Sequence, residues 1–175
     1  HEASPDQEMA PTLSSSPAAS LLAVIANAAT DPRVDVEKME RLLAMHQTIL
    51  ADQRRAAFSA ALARLQAKLP QITKAGRIQA KGGERRYAKI EDIDVAIRPL
   101  LAEEGFAFSF NEDSSDGKNK VFSCELSHAE GHAVIKRLTL PIDSSPYRTD
   151  CQSVGSTTSY ARRYLIKMHL NMVEA

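Results

Sequence analysis

Apolar positions recur at helical spacing along the first two thirds of the chain and alternate along much of the last third. Ala18 to Ala29 is a short apolar run stopped by Thr30-Asp31-Pro32, and it reads as a helix. From Asp35 to Leu69 the pattern stays helical until Pro70 ends it. Val36, Met39, Leu43, Ile49 and Leu50 form an early stripe, and Phe58, Leu62, Leu65 and Leu69 a later one. At 1.5 Å per residue such a helix runs about 50 Å, longer than a small domain is wide. Either it breaks near Ala51-Asp52 or part of it packs against another protomer. Ile72-Thr73 and Arg77 to Gln79 read as short strands, with Lys81-Gly82-Gly83 as a turn between strands. Lys89 to Glu104 is an amphipathic helix with Ile90, Ile93, Ile97, Leu100 and Leu101 on one face, ended by Gly105. Phe106 to Phe110 alternates as a half-buried strand, and Asn111 to Asn119 is a polar turn or flexible loop. Lys120 to Ser127 is a second strand with Phe122, Cys124 and Leu126 inward, and His132 to Leu140 a third, completing an antiparallel meander. A last helix covers Gly155 to Lys167, with Gly155 breaking what precedes and Ser156 or Thr157 capping the first turn.

This order predicts an α+β fold: a long N-terminal helix, then a β-β-β-α core whose meander packs on helices. Residues 1–17, with three Pro, four Ser and no periodicity, read as a disordered tail. Residues 18–34 hold the short helix and a linker, and residues 35–175 form the main domain. With 175 residues the chain can bury a core of its own. No apolar run approaches the ~20 residues of a membrane span. Ser20 to Ala29 resembles a signal-peptide core, yet no Lys or Arg precedes Arg33, so the expected location is the cytoplasm. Cys124 and Cys151 permit one bridge, and two free thiols are the simpler reading.

Net charge is zero, so any affinity for nucleic acid must come from local charge. Between Gln71 and Ile90, Lys74, Arg77, Lys81, Arg85, Arg86 and Lys89 stand against Glu84 alone, with Tyr87 beside them. A Gly-Gly turn carrying such cations suits phosphate; it equally suits a solvated hairpin with ion-pair partners elsewhere. In the last helix Tyr160, Arg163, Tyr164 and Lys167 share a stripe, and Arg162 and Arg163 fall on its adjacent flanks. Hydroxyls and N–H groups at the expected helix start form an anion cradle, and guanidiniums with phenol rings follow within two turns. The same residues also make an ordinary half-buried helix with a solvated face.

Other chemistry finds little footing. Gly117-Lys118-Asn119 lacks the remaining residues of a phosphate-binding loop, so ATP-driven chemistry is not expected. Cys124, His128 and His132 stand four residues apart, but a turn intervenes and a fourth metal ligand is not evident. Glu91, Asp92 and Asp94 sit in a helix first turn, where acids complement the dipole. Neither a cofactor, a metal nor a catalytic constellation is expected.

Gln152 and the stretch Gly155-Ser-Thr-Thr-Ser-Tyr-Ala-Arg-Arg-Tyr164 resemble the signature of the Erf (essential recombination function) family of phage and prophage single-strand annealing proteins. Tyr87-Ala-Lys-Ile-Glu-Asp-Ile93, continuing through Arg98-Pro99-Leu100 to Glu104-Gly105-Phe106, is similar to the family's second signature. Arg55 to Pro70 resembles the helix that opens its domain. The likeness covers about residues 55–170.

The resemblance implies a core like that of the eukaryotic strand-annealing mediator and ATP-independent binding and annealing of single-stranded DNA. It also implies a homo-oligomeric ring or filament, with a host single-strand-binding protein or phage exonuclease as a further partner. On this reading Lys74, Arg77, Lys81, Arg85, Arg86, Lys89, Arg148, Arg162, Arg163 and Lys167 contact phosphate in a groove between meander and helix. Gln152, Ser153, Ser156 and Thr157 bond phosphate, Tyr87 and Tyr160 stack, and Tyr164, Leu165 and Ile166 face the core. The rival readings are a non-catalytic assembly protein that recruits partners through the long helix, and a hydrolase.

Overall fold

The computed structural model describes residues 17–31, 35–80, 83–142 and 149–173. The expected tail up to residue 16, Lys81-Gly82 of the expected turn, and residues 143–148 of the expected linker lie outside the described residues. The chain divides between Gln53 and Arg54 into two units. In the first, helix α1 (Pro17–Ala29) is closed by Thr30, whose hydroxyl donates to the Asn27 carbonyl at 2.8 Å. Helix α2 (Val36–Lys68) begins where the Asp35 carboxylate accepts from the Glu37 N–H at 3.1 Å. Ile25 is buried in this unit, whereas Leu22, Val24, Leu43 and Met45 are exposed. The helix shows no break at Ala51-Asp52.

The second unit is α+β. Strands β1 (Gly76–Ala80) and β2 (Gly83–Tyr87) form an antiparallel hairpin, followed by helix α3 (Ile90–Glu103). Strands β3 (Phe106–Ser115), β4 (Asn119–His128) and β5 (Ala133–Pro141) form an antiparallel sheet in that order, and helix α4 (Asp150–Leu170) closes the chain. The expected sequence of three strands and a helix is therefore present. Ile72-Thr73, expected as a strand, makes only an isolated bridge at Ile72.

The loop expected at Asn111 to Asn119 is also mostly strand. A bulge between Glu112 and Ser114 lets β3 continue to Ser115 despite its polar sequence. The turn shrinks to Asp116-Gly117-Lys118, where the Asp116 carboxylate accepts from the backbone N–H groups of Lys118 and Asn119. Those bonds, Asn119's first, hold the Asp116 carboxyl below its ordinary range. Gly117, at φ 81°, takes the left-handed turn position.

One face of the sheet carries Phe106, Phe108, Phe110, Phe122, Cys124, Leu126, Leu138 and Leu140 into two apolar clusters. The larger gathers Phe58, Ala61 and Leu65 of α2, Ile93, Ile97 and Leu101 of α3, and Ile166 and Leu170 of α4. The smaller sits where Ala161 and Leu165 of α4 meet Phe122 and Cys124. Glu104, buried at the end of α3, receives Lys68 at 2.6 Å and Arg64 at 2.8 Å, which ties α3 to α2. The Lys68 hydrogen bond leads in keeping that carboxyl below its usual range, against the cost of burial.

His169, near the end of α4, is buried with Nε2 2.9 Å from the Cys124 carbonyl and donates to it in the tautomer protonated there. Burial leads in lowering its pKa from 6.5, with the Lys136 charge adding to the effect. Below about pH 6.5 the unfolded chain takes a proton that the folded imidazole refuses, so stability falls with pH until the folded ring also titrates. Urea midpoints at pH 8 and pH 5 are expected to differ more for the wild type than for His169→Gln. Equal differences would contradict a buried neutral imidazole.

Candidate nucleic-acid interface

Helix α4 starts earlier than its Gly155-Ser156-Thr157 segment suggests. Thr149 is the N-cap: its hydroxyl accepts from the Gln152 N–H at 3.3 Å, and the Gln152 side-chain oxygen accepts from the Thr149 N–H at 3.1 Å. This capping box fixes the start, and the Gln152 amide oxygen expected on phosphate is committed to it. Gly155 lies inside the helix with open space around its Cα.

Steps of four residues from Ser153 then place Ser153, Thr157, Ala161, Leu165 and His169 on one stripe, all buried. The Thr157 hydroxyl donates to the Ser153 carbonyl at 3.0 Å within the helix. Ser153 and Thr157 thus face inward instead of forming a phosphate cradle at a helix start. Their small size, with Ala161, lets α4 approach Phe122 and Cys124. Ser156 is half-buried, two turns into the helix.

With that stripe inward, Tyr160, Arg163, Tyr164 and Lys167 fall on one flank. The Tyr160 and Tyr164 rings stack at 4.2 Å and 22°, and both residues are exposed. Tyr164, expected in the core with Leu165 and Ile166, therefore belongs to the surface pair; Leu165 and Ile166 are buried. The Arg163 guanidinium carbon stands 5.1 Å from the Tyr160 centroid and 5.7 Å from that of Tyr164, and Lys167 Nζ stands 5.3 Å from Tyr164. Desolvation leads in pushing the Tyr160 phenol up to about 12, with its hydrogen bond to Tyr164 adding, so it stays neutral at physiological pH.

Arg163 also covers a third ring, Tyr87 of β2, at 4.6 Å. This contact brings the base of the basic hairpin to the tyrosine flank of α4. Gly76 makes room for it. It pairs with Tyr87 across the hairpin, and a Cβ there would lie 2.7 Å from a Tyr87 ring carbon and 2.9 Å from its carbonyl oxygen. Glu84 sits 3.4 Å from Arg77 and 4.0 Å from Arg86, so one carboxylate engages two of the expected phosphate contacts. Lys74 is half-buried, and Lys89 is exposed at the N-cap of α3. Lys81 and Arg148 lie outside the described residues, as does the Arg85 side chain.

Arg162 goes the other way. About 100° around the helix from Arg163, its guanidinium lies over Phe110 of β3 at 4.9 Å. The helix cations expected along one groove thus part to two flanks of α4. A cavity of about 410 Å³ opens on the Arg162 side between α4 and the middle of β3 and β4, and one of about 310 Å³ lies towards α3.

The thiols and histidines are occupied otherwise. Burial pushes the Cys124 thiol up to about 12, so it stays protonated; it and exposed Cys151 are both free. His128 Nε2 stands 3.1 Å from the Glu104 carbonyl, and the His132 ring packs edge-on to Phe58 at 5.0 Å. Among the described residues no group of three or more His, Cys, Asp or Glu is placed to hold a metal ion, and no helix is long and apolar enough to cross a membrane.

Sequence reasoning missed Gly76, Phe110 and the outward face of Tyr164. Only the last had a signal, since Tyr160 and Tyr164 stand four residues apart. Gly76→Ala is expected to force the Tyr87 ring off Arg163, to cost about 1–3 kcal/mol in a urea melt, and to shift the Tyr87 ring resonances. Unchanged stability and ring shifts would contradict this placement of Tyr87.

Residues 58–175 match the family model of the ERF superfamily, from the second half of α2 through the basic hairpin and the sheet to α4. No curated protein and no solved structure matches the chain significantly. The match contains every element of the cation–tyrosine surface, and the chain belongs to the ERF superfamily, at family level one of single-strand annealing in phage-type recombination.

Proposed function

We propose that the protein binds single-stranded DNA on the tyrosine flank of α4 and anneals complementary strands without ATP and without catalysis of its own. The observation that carries this is the stack in which Arg163 lies among Tyr87, Tyr160 and Tyr164 with Lys167 beyond. Tyrosine faces accept any base, and each base stacked on an aromatic side chain contributes about 1–3 kcal/mol. A guanidinium held by rings rather than by a carboxylate keeps its N–H groups for phosphate. Lys74, Arg77, Arg86 and Lys89 add charge on the hairpin side. Annealing is driven by base pairing, and the protein neutralises phosphate and holds the strand extended.

We also propose self-assembly. Leu22, Val24 and Met45 are each more than half exposed in the first unit, and a second copy would cover them. A ring or filament of protomers would extend the DNA surface from one copy to the next.

Fluorescence anisotropy with a labelled oligo-dT tests the reading. The wild type is expected to bind with an affinity that falls steeply with salt, and each lost phosphate contact flattens the log–log slope by about 0.7. Arg163→Ala is expected to bind about tenfold more weakly, from the loss of one stacked and charged contact, with a flatter slope and an unchanged circular-dichroism spectrum. Tight binding by Arg163→Ala with an unaltered slope would move the site off this flank. Absence of binding by the wild type would overturn the DNA-binding reading.

A further inference from the structure

The other flank of α4 carries a site of different shape. Phe122, Ala161 and Leu165 are buried residues along the larger cavity, and Phe110 forms a wall. Thr158 of α4 stands beside these and offers a hydroxyl. Asn111 and Ser123 pair in register and alternate with Phe110 and Phe122, so their side chains lie on the other face of the sheet, where the Ser123 hydroxyl donates to Asp113 at 2.7 Å. Glu112 also lines it, but both its oxygens are taken by Lys120, at 2.7 and 2.8 Å. Arg162 leans on Phe110, and no carboxylate among the described residues pairs with it. The volume of about 410 Å³ lies at the lower end of the roughly 300–1,000 Å³ typical of small-ligand pockets.

An apolar slot with one hydroxyl at its margin and one guanidinium beside it matches a specific chemistry: a flat heteroaromatic ring with polar edges, attached to a phosphodiester. We infer that this cavity takes one unstacked nucleobase of the bound strand, with the adjoining phosphate on Arg162. The inference rests on the single-strand reading and adds a subsite to it. The two flanks are separated by one helix diameter, about 10–12 Å. Between them the outer surface of α4 presents Gly155 and Ser159, both exposed and small. A strand stacked on Tyr160 and Tyr164 crosses this low crest and turns one base into the pocket. Each protomer thereby holds one base out of register with its neighbours, and this sets a fixed point from which the remaining bases are displayed.

A free nucleotide has the same chemistry, so the test separates the two sources. Binding is measured for oligo-dT, for an abasic strand of equal length, and for dTMP as competitor. The proteins are the wild type, Thr158→Val and Thr158→Trp. Thr158→Val removes the hydroxyl and keeps the shape of the side chain; Thr158→Trp fills the slot. The wild type is expected to prefer the base-bearing strand, and both variants to lose about tenfold of that preference while keeping their affinity for the abasic strand. A preference unchanged in the folded Thr158→Val and Thr158→Trp proteins overturns the pocket and leaves the tyrosine flank standing. Competition by dTMP at concentrations comparable to the strand overturns the assignment to strand DNA in favour of a free nucleotide. Wild-type protein that binds neither strand overturns the single-strand reading itself, and the pocket assignment with it.

Discussion

The packing of one stripe of α4 against β4 decides where every candidate contact points. Ser153, Thr157 and Ala161 are small enough to let the helix close on the sheet, and Leu165 and His169 then lock its second half. The His169 hydrogen bond to the Cys124 carbonyl and the Lys136 bond to the Met168 carbonyl, at 2.5 Å, fix the far end. Leu165 is fully buried, and truncating it to Ala would cost about 2–5 kcal/mol. Once this stripe is inward, helical geometry sends Arg163 to the tyrosine flank and Arg162 to Phe110, with no freedom to share a groove.

Cations in this protein divide by what they touch. Lys68 and Arg64 are held by Glu104, Lys120 by Glu112, Arg98 by Asp94 and Arg137 by Asp113. These pairs fasten elements to one another or steady a single helix. Arg162 and Arg163 rest on aromatic rings instead. An exposed cation–π contact contributes only about 0.5–1 kcal/mol, enough to orient a guanidinium without spending its charge. A molecule of zero net charge thus presents positive charge locally, beside faces on which bases can stack. The hairpin is intermediate, since Glu84 engages Arg77 and Arg86.

The elements were largely legible, because burial imposes periodicity on a chain: Ile93, Ile97 and Leu101 marked α3, and alternation marked β4. Polar segments were harder. Asn111 to Ser115 has the composition of a loop yet pairs as strand, because the bulge beyond Glu112 lets Asp113 take the Ser123 hydroxyl and Arg137. The start of α4 was misplaced for a similar reason. Gly155, Ser156 and Thr157 look like a stop and a cap, while the true box, Thr149 with Gln152, stood six residues upstream in plain view. At the site, the stripe of Tyr160, Arg163, Tyr164 and Lys167 could be read from spacing alone. Its junction with Tyr87 over Gly76, and the pairing of Arg162 with Phe110, depend on tertiary approach between residues more than fifty positions apart, which no local pattern encodes.

Photocrosslinking reports which side chains lie against bases. A 5-bromouracil-substituted oligonucleotide would be irradiated on the protein and the crosslinked peptides mapped by mass spectrometry. Adducts are expected at Tyr160 and Tyr164, with Tyr87 beside them. Adducts confined to α1 or to the opposite face of the sheet, with none on these tyrosines, would contradict it.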